Sequence, residues 1–303
     1  LNALSVQTVQ GYIQTEEGDT ATWFNGKLDI TVLDKMQQIT TRDNDEMNES
    51  NKVKITYNDY PNTLFSGKTN VVDGKFEMTF MVPKDIRYNY GAGRIVYYAY
   101  DEENREEAMG HFEDLIIGGS STVEAKDSIG PELHIYLNNP ALMDGDATYE
   151  FPHFYADIYD ENGINTVGTG IGHDLLLVID SDPKQTYVLN DYFSASNNSY
   201  QQGQVSYKMT EQTEGMHTLT FRAWDLYNNS SIASLNFQVI RGMDPQIYKV
   251  VTYPNPVANT ESLNIQIEYD QPDEVIQTAI YLYDISGKMV LTHQQKGTEG
   301  IRW

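Results

Sequence analysis

Apolar residues in this chain recur at every second position, and that period decides the fold class before anything else. Leu28, Ile30 and Val32 share one face of a run, and so do Phe76, Met78, Phe80 and Val82. Leu219, Phe221 and Ala223 point one way, while Thr218, Thr220, Arg222 and Trp224 point the other. Side chains alternate across an extended strand, whereas a helix needs a stripe at a spacing of three to four. No segment of more than about ten residues carries such a stripe. The sequence therefore predicts an all-β chain: two successive immunoglobulin-like β-sandwich domains over residues 1–119 and 120–242, then a small C-terminal β-sandwich domain over 243–303.

The boundaries are compositional. Residues 118–131, from Gly118-Gly-Ser-Ser to Ile129-Gly-Pro131, are small and polar, and Arg241-Gly-Met-Asp-Pro245 punctuates the chain again. A repeated device supports the division. Tyr98-Ala-Tyr-Asp101, Arg222-Ala-Trp-Asp225 and Tyr281-Leu-Tyr-Asp284 each close a strand with an aromatic residue and an aspartate before a turn. An aspartate suits that place because its carboxylate accepts bonds from turn amides two residues on. Within the first domain Arg94–Tyr100 and His111–Ile117 are expected to pair as a hairpin around Asp101–Glu107, and 36–51 to form a polar surface loop. Leu175–Ile179 reads as a strand buried on both faces.

Charge and composition exclude several functions. The net charge is −24, dividing as −9, −11 and −4 over residues 1–119, 120–242 and 243–303. No part is basic, and nucleic-acid binding needs a positive footprint. The chain has no cysteine, so it supplies no disulfide, no thiolate metal site and no cysteine nucleophile. No apolar run approaches the roughly 20 residues of a membrane-spanning helix. The start, Leu1-Asn-Ala-Leu, carries no signal peptide and reads as a cut, which makes a fragment of a longer protein the expectation.

Catalytic chemistry finds little purchase. The histidines at 111, 134, 153, 173, 217 and 293 form no metal-binding spacing, and His173-Asp174 beside the glycines reads first as a loop entering a strand. Gly168-Thr-Gly-Ile-Gly-His173 imitates a phosphate loop but fails its third glycine, and no helix follows. Asp157, Asp160, Asp180 and Asp182 are the calcium candidates, since calcium takes oxygen ligands of this kind, although their spacing fits no EF-hand. No other cofactor is expected. The 22 tyrosines offer a platform for stacking sugars, or simply cover sheet faces.

The residues also carry a resemblance. Asp160-x-x-Gly-Ile-Asn165, Gly-Ile-Gly-His173-Asp, Val188-Leu-Asn-Asp-Tyr192 and Ala223-Trp-Asp-x-Tyr-Asn-Asn-Ser230, with Phe80-Met-Val-Pro-Lys-Asp-Ile86 and Tyr98-Ala-Tyr-Asp101, resemble the region after the protease domain in gingipain-type cysteine peptidases, the sortases of type IX secretion among them. Tyr253-Pro-Asn-Pro256 with Asp284-x-x-Gly-Lys288 resembles the C-terminal sorting domain of type IX cargo, short of its closing strands. The resemblance implies a non-catalytic interaction region at the cell surface, exterior to the outer membrane. Its partners would be the peptidase domain upstream, secreted cargo and outer-membrane type IX components, with no nucleic acid. The alternative is a surface adhesin or carbohydrate-binding module built from the same sandwiches.

Overall fold

The computed structural model describes residues 1–42, 54–121, 127–167, 172–258, 262–271 and 275–297, and the backbone of 301–302. Among them the only helical turns are two short 3-10 turns, Pro183–Gln185 and Asn190–Tyr192; everything else is strand, turn or loop. The chain is all-β, as its two-residue period requires.

In chain order the first strands are β1 (Val6–Tyr12), β2 (Gly26–Leu33), β3 (Gln37–Thr40), β4 (Thr56–Asp59), β5 (Thr63–Val71), β6 (Lys75–Met81), β7 (Gly91–Ala92), β8 (Arg94–Asp101), β9 (Glu106–Phe112) and β10 (Ile116–Ile117). One sheet has the order β5-β2-β8-β9 and a second pairs β1 with β6. Their inward faces meet in a single core. Leu28, Ile30 and Val32 of β2 are fully buried, as are Met78 and Phe80 of β6 and Val82 just beyond it. The Phe65 and Phe80 rings stack at 4.7 Å. The crossing from β5 to β6 runs through Asp73 and Gly74, at φ of 50° and 73°, with Val72 and Lys75 exchanging both backbone bonds. That is the two-residue turn whose twist suits adjoining strands. A side chain on Gly74 would also meet the Ala21 carbonyl at 2.4 Å.

Three local expectations are corrected. The partner of β8 is Glu106–Phe112 rather than 111–117, because the turn closes tightly at 101–105, and Ile116–Ile117 pairs instead with Gly91–Ala92. The start of the 36–51 loop is a strand, β3, paired from Gln37↔Asp59 to Thr40↔Thr56; residues 43–53 lie outside the described residues. Within Leu175–Ile179, residues 175, 177 and 179 are fully buried while 176 and 178 are only half-buried, so one face is covered more deeply than the other.

The later strands are β11 (Glu132–Leu137), β12 (Ala147–Thr148), β13 (His153–Tyr159), β14 (Leu176–Ile179), β15 (Thr186–Val188), β16 (Phe193–Ala195), β17 (Gln202–Lys208), β18 (Gly215–Trp224) and β19 (Ser230–Val239). They are followed by β20 (Ile247–Tyr253), β21 (Asn264–Tyr269), β22 (Ile276–Tyr283), β23 (Met289–Gly297) and β24 (Ile301–Arg302). The chain separates into two compact units. One holds residues 1–135, 155–207 and 218–235; the other holds 136–154, 208–217 and 236–303. In the first, β14 lies antiparallel between β15 and β18, with Leu177 opposite Phe221 and Tyr187. The expected alternation of β18 is realised, with Leu219, Phe221 and Ala223 fully buried. In the second unit β12 runs parallel to β19, and the Asp144 carboxylate accepts the Asn236 backbone amide at 2.7 Å.

The second unit thins toward its end. β20, β21 and β24 form one small sheet and β22 with β23 a two-stranded hairpin. No apolar side chain after Val239 is buried among the described residues, and Tyr281, Leu282, Met289 and Val290 are each at least half exposed. An isolated hairpin is marginal in water. We therefore expect backbone amides of Ile265, Ile267 and Leu282 to exchange with solvent well ahead of those of Leu177 and Phe221 in dilute protein. Comparable protection, read by hydrogen exchange, would show the terminal strands to be as stable as the core.

Candidate functional site

The backbone at the end of a β-strand has lost its ladder partner, and its amides must bond elsewhere. Here aspartates take them. Asp101 Oδ1 accepts the amides of Glu103 and Asn104, both at 3.0 Å, and Asp284 Oδ1 accepts those of Ser286 at 2.8 Å and Lys288 at 3.0 Å. Asp160 Oδ1 accepts from Asn162 at 2.7 Å and Gly163 at 3.1 Å. Asp225 Oδ1 accepts from Tyr227 at 2.9 Å and Asn229 at 2.7 Å, while its Oδ2 accepts the Asn229 side-chain amide at 2.7 Å. The turn-capping role expected of these strand-end aspartates holds at 101, 225 and 284.

Two of these turns meet. Ile164 bridges to Asp225, and the Asn165 amide donates to the Trp224 carbonyl at 2.8 Å. Asp160 and Asp225 are thereby brought beside Asp127, with one carboxylate oxygen from each lying within 4.8 Å of the others. Asp225 is wholly buried and Asp160 nearly so. Burial pushes the Asp225 carboxyl up to about 6, opposed by its Asn229 bonds and reinforced by the side chain of Asp127 and the charge of Asp160. Burial also raises Asp160, against the Asn162 amide. At Asp127 burial is outweighed by the Ile129 amide and by bonds from Asp225 and Asn162, which hold this carboxyl below the usual range. Like charges this close are relieved by one retained proton or by a cation. The oxygens could hold a calcium ion, whose six to eight oxygen ligands lie at about 2.3–2.6 Å.

This is not the calcium set expected from sequence. Of the four candidates, only Asp160 joins the cluster. Asp157 accepts the Gln204 side-chain amide at 2.6 Å and lies 3.4 Å from His134 Nδ1. Asp180, at φ 53°, accepts the Thr218 amide at 2.9 Å, and Asp182 caps a 3-10 turn through the Lys184 amide at 2.9 Å. Asp182 serves its own turn, whereas Asp157 and Asp180 each tie their strand to a neighbouring one. Asp127 and Asp225 come together with Asp160 only through tertiary pairing, and no spacing announces them.

Next to the cluster stands a second constellation. His173 Nδ1 lies 2.5 Å from Asp85 Oδ2, and its ring packs on Trp224 at 4.4 Å between centroids. Asn228 donates to Asp85 Oδ1 at 2.7 Å and Asn165 donates to Oδ2 at 3.4 Å. The Lys84 amide donates to the Leu226 carbonyl at 3.1 Å, and Lys84 Nζ reaches the Tyr227 carbonyl at 3.3 Å. Asp85 is thus a knot: one carboxylate from the loop after β6 fastens residues around 165, 173 and 228. His173 does enter β14, as expected of a loop residue, and it also belongs to this knot. Of the phosphate-loop imitation, residues 168–171 lie outside the described residues, and Gly172-His173 lead into a strand, not a helix. The tyrosine platform is partly turned on itself, with Tyr207 packed against Tyr187 at 5.5 Å and Tyr192 at 4.8 Å.

The knot and the cluster make separate predictions. Asp85→Ala leaves His173 and Asn228 without their shared acceptor and should cost about 2–3 kcal/mol in urea unfolding, with Asp85→Asn costing less. For Asp225 the folded-state pKa lies above the unfolded one, so the folded chain holds the extra proton between roughly pH 4 and 6. The carboxylate's penalty is therefore complete above pH 6 and fades as pH falls toward 4. Unfolding followed from pH 7 to 5 without divalent cations should show that gain, and Asp127→Asn should reduce it. With a bound cation, millimolar calcium raises the melting temperature at pH 7.5 and erases the gain; no response to calcium assigns the relief to the shared proton alone.

No family model matches the chain, and no curated protein matches it. Among solved structures, the crystal structure of dimeric latent PorU from Porphyromonas gingivalis is similar over 100% of this chain, at 32% sequence identity and a TM-score of 0.47. The chain spans 28% of the length of that protein, so its likeness is to one part of PorU.

Proposed function

We propose that this chain is the non-catalytic C-terminal region of a PorU-like cell-surface sortase and works by docking. The observation that carries the reading is the convergence at the Asp85 knot. Pro83-Lys-Asp85, Asn165, His173 and Trp224 to Asn229 come from three stretches far apart in sequence, each belonging to the gingipain-type resemblance, and they meet in one place. They join there as structural partners: the histidine faces an aspartate and a tryptophan, and the chain has no cysteine to act as nucleophile. Residues that carry the resemblance and also hold strands together fit a scaffold.

In this reading the work of cleaving cargo belongs to a peptidase domain upstream, with its own histidine and cysteine. The present chain holds that domain, secreted cargo or outer-membrane type IX components at the cell surface. The 243–303 region acts as a sorting-type β domain, and no helix among the described residues is long and apolar enough to cross a membrane. A net charge of −24 argues against nucleic acid as the partner.

The test is to purify the chain and the segment encoded upstream of it, separately and together. The chain alone should cleave no peptide substrate; the two should form a stable complex, and cleavage should follow the upstream segment. An upstream reading frame without a histidine–cysteine peptidase would overturn the proposal. So would retention of the chain by a polysaccharide matrix but not by the upstream segment, which is the behaviour of an adhesin.

A further inference from the structure

The first compact unit has an open side. β1 pairs only with β6, and β9 is the last strand of its sheet, so each presents a strand edge that pairs with no other strand among the described residues. Between these two edges runs a groove of about 660 Å³. It is lined by residues 10–15 on one side and 108–112 on the other, and between them by apolar side chains that include the Phe76 and Tyr97 rings, 5.6 Å apart. Apolar side chains stand exposed along it: Tyr12, Met109 and Phe112 are 53%, 80% and 46% exposed. Gly110, in the middle of β9, leaves that edge bare, since the nearest atom to a Cβ there would be in the Tyr97 ring at 4.0 Å.

Two acidic turns lie at one end of this groove. Glu16, Glu17 and Asp19 follow β1 and are closed by the Gln14–Thr20 bridge; Glu102, Glu103, Glu106 and Glu107 surround the β8–β9 turn. Trp23 Nε1 donates to Glu106 Oε2 at 3.1 Å, which fastens the strand-to-strand segment after the first turn to the second. All seven carboxylates belong to exposed residues. Against them stand Arg105 in the second turn and Lys27 and Lys75, opposite Tyr100 and Tyr12 on the adjoining strands, so carboxylates outnumber cations there seven to three. An added strand would gain main-chain bonds from an edge and seat alternate side chains in the groove, while the acidic end would favour cations.

We infer that this groove is a docking site for an extended, basic peptide segment of a protein partner, bound as an added β-strand with alternate apolar side chains inward and lysine or arginine at the end beside the acidic turns. This rests on reading the chain as a docking region and names one of its partners by chemistry.

The test uses the full chain and a fluorescent peptide, Lys-Thr-Val-Thr-Val-Thr-Lys-Lys, with two controls: the same peptide with glutamate for lysine, and one with prolines breaking its backbone amides. Anisotropy should show binding of the basic peptide alone, and hydrogen exchange should slow in residues 6–12 and 106–112. Reversing exposed charges, Glu16→Lys with Glu102→Lys and Glu103→Lys, should weaken binding about tenfold, as should high salt. These side chains are exposed, so the variant should keep the parent's melting temperature; should it not, the salt titration of the unaltered chain carries the same decision. Absence of peptide binding, equal binding of the acidic or proline peptide, or protection confined to other strands would overturn the inference. Protection of the same strands that rises with protein concentration and no peptide would make the occupant a second copy, and would overturn it too. Capture of the upstream segment is measured independently, so failure here is distinguishable from failure of the docking role as a whole.

Discussion

The structure depends on carboxylates that replace missing backbone partners. An all-β chain makes its hydrogen bonds in ladders, and each ladder ends at a turn where amides would otherwise be stranded. Asp101, Asp160, Asp225 and Asp284 accept those amides one turn after another. An acidic side chain does this well because a charged acceptor makes shorter and stronger bonds than a neutral one. These aspartates hold their turns in shape without a helix or a disulfide.

The same device becomes electrostatically expensive where turns converge. Asp160 and Asp225 each suit their own turn, yet folding brings them together beside Asp127 and removes them from water. Burial first, and the neighbouring carboxylates after it, raise the pKa of Asp225. Asp85, linked to that cluster through Asn228, is in the opposite position, surrounded by donors: His173, Asn165 and Asn228 all reach it. One site thus gathers carboxylates that need a proton or cation, and the other spends one carboxylate on three partners. Together they fasten the loop after β6 to the segments around 163 and 226.

The terminal strands follow a different physics. β20 to β23 pair well along their backbones, with registers running from Ile247 to Tyr269 and from Ile276 to Gly297, but they bury no apolar side chain fully. Backbone pairing alone does not stabilise a small sheet; a covered face does. The Asp270 carboxylate, clasping the Gln246 amide at 2.6 Å, closes one end of this region much as the other aspartates close theirs.

Fold class and local turn chemistry follow from the order of residues along the chain. The two-residue period of Leu28, Ile30 and Val32, or of Leu219, Phe221 and Ala223, names strands and their buried faces without any tertiary information, because alternation is a property of the extended chain alone. The Asp-plus-two turn bonds were legible for the same reason: donor and acceptor lie within four residues of each other. What the sequence did not contain was distance between remote segments. Asp157, Asp180 and Asp182 look as suitable for calcium as Asp160 when only spacing is visible, and the partners of Asp160 turned out to be 33 residues before it and 65 after it. His173 looked like a plain loop residue until Asp85, 88 positions away, arrived at 2.5 Å. The position of β9 and the open groove beside it were likewise decided by how tightly one turn closes and by which sheet edge is left over. Those are properties of packing and register, and only the tertiary structure sets them.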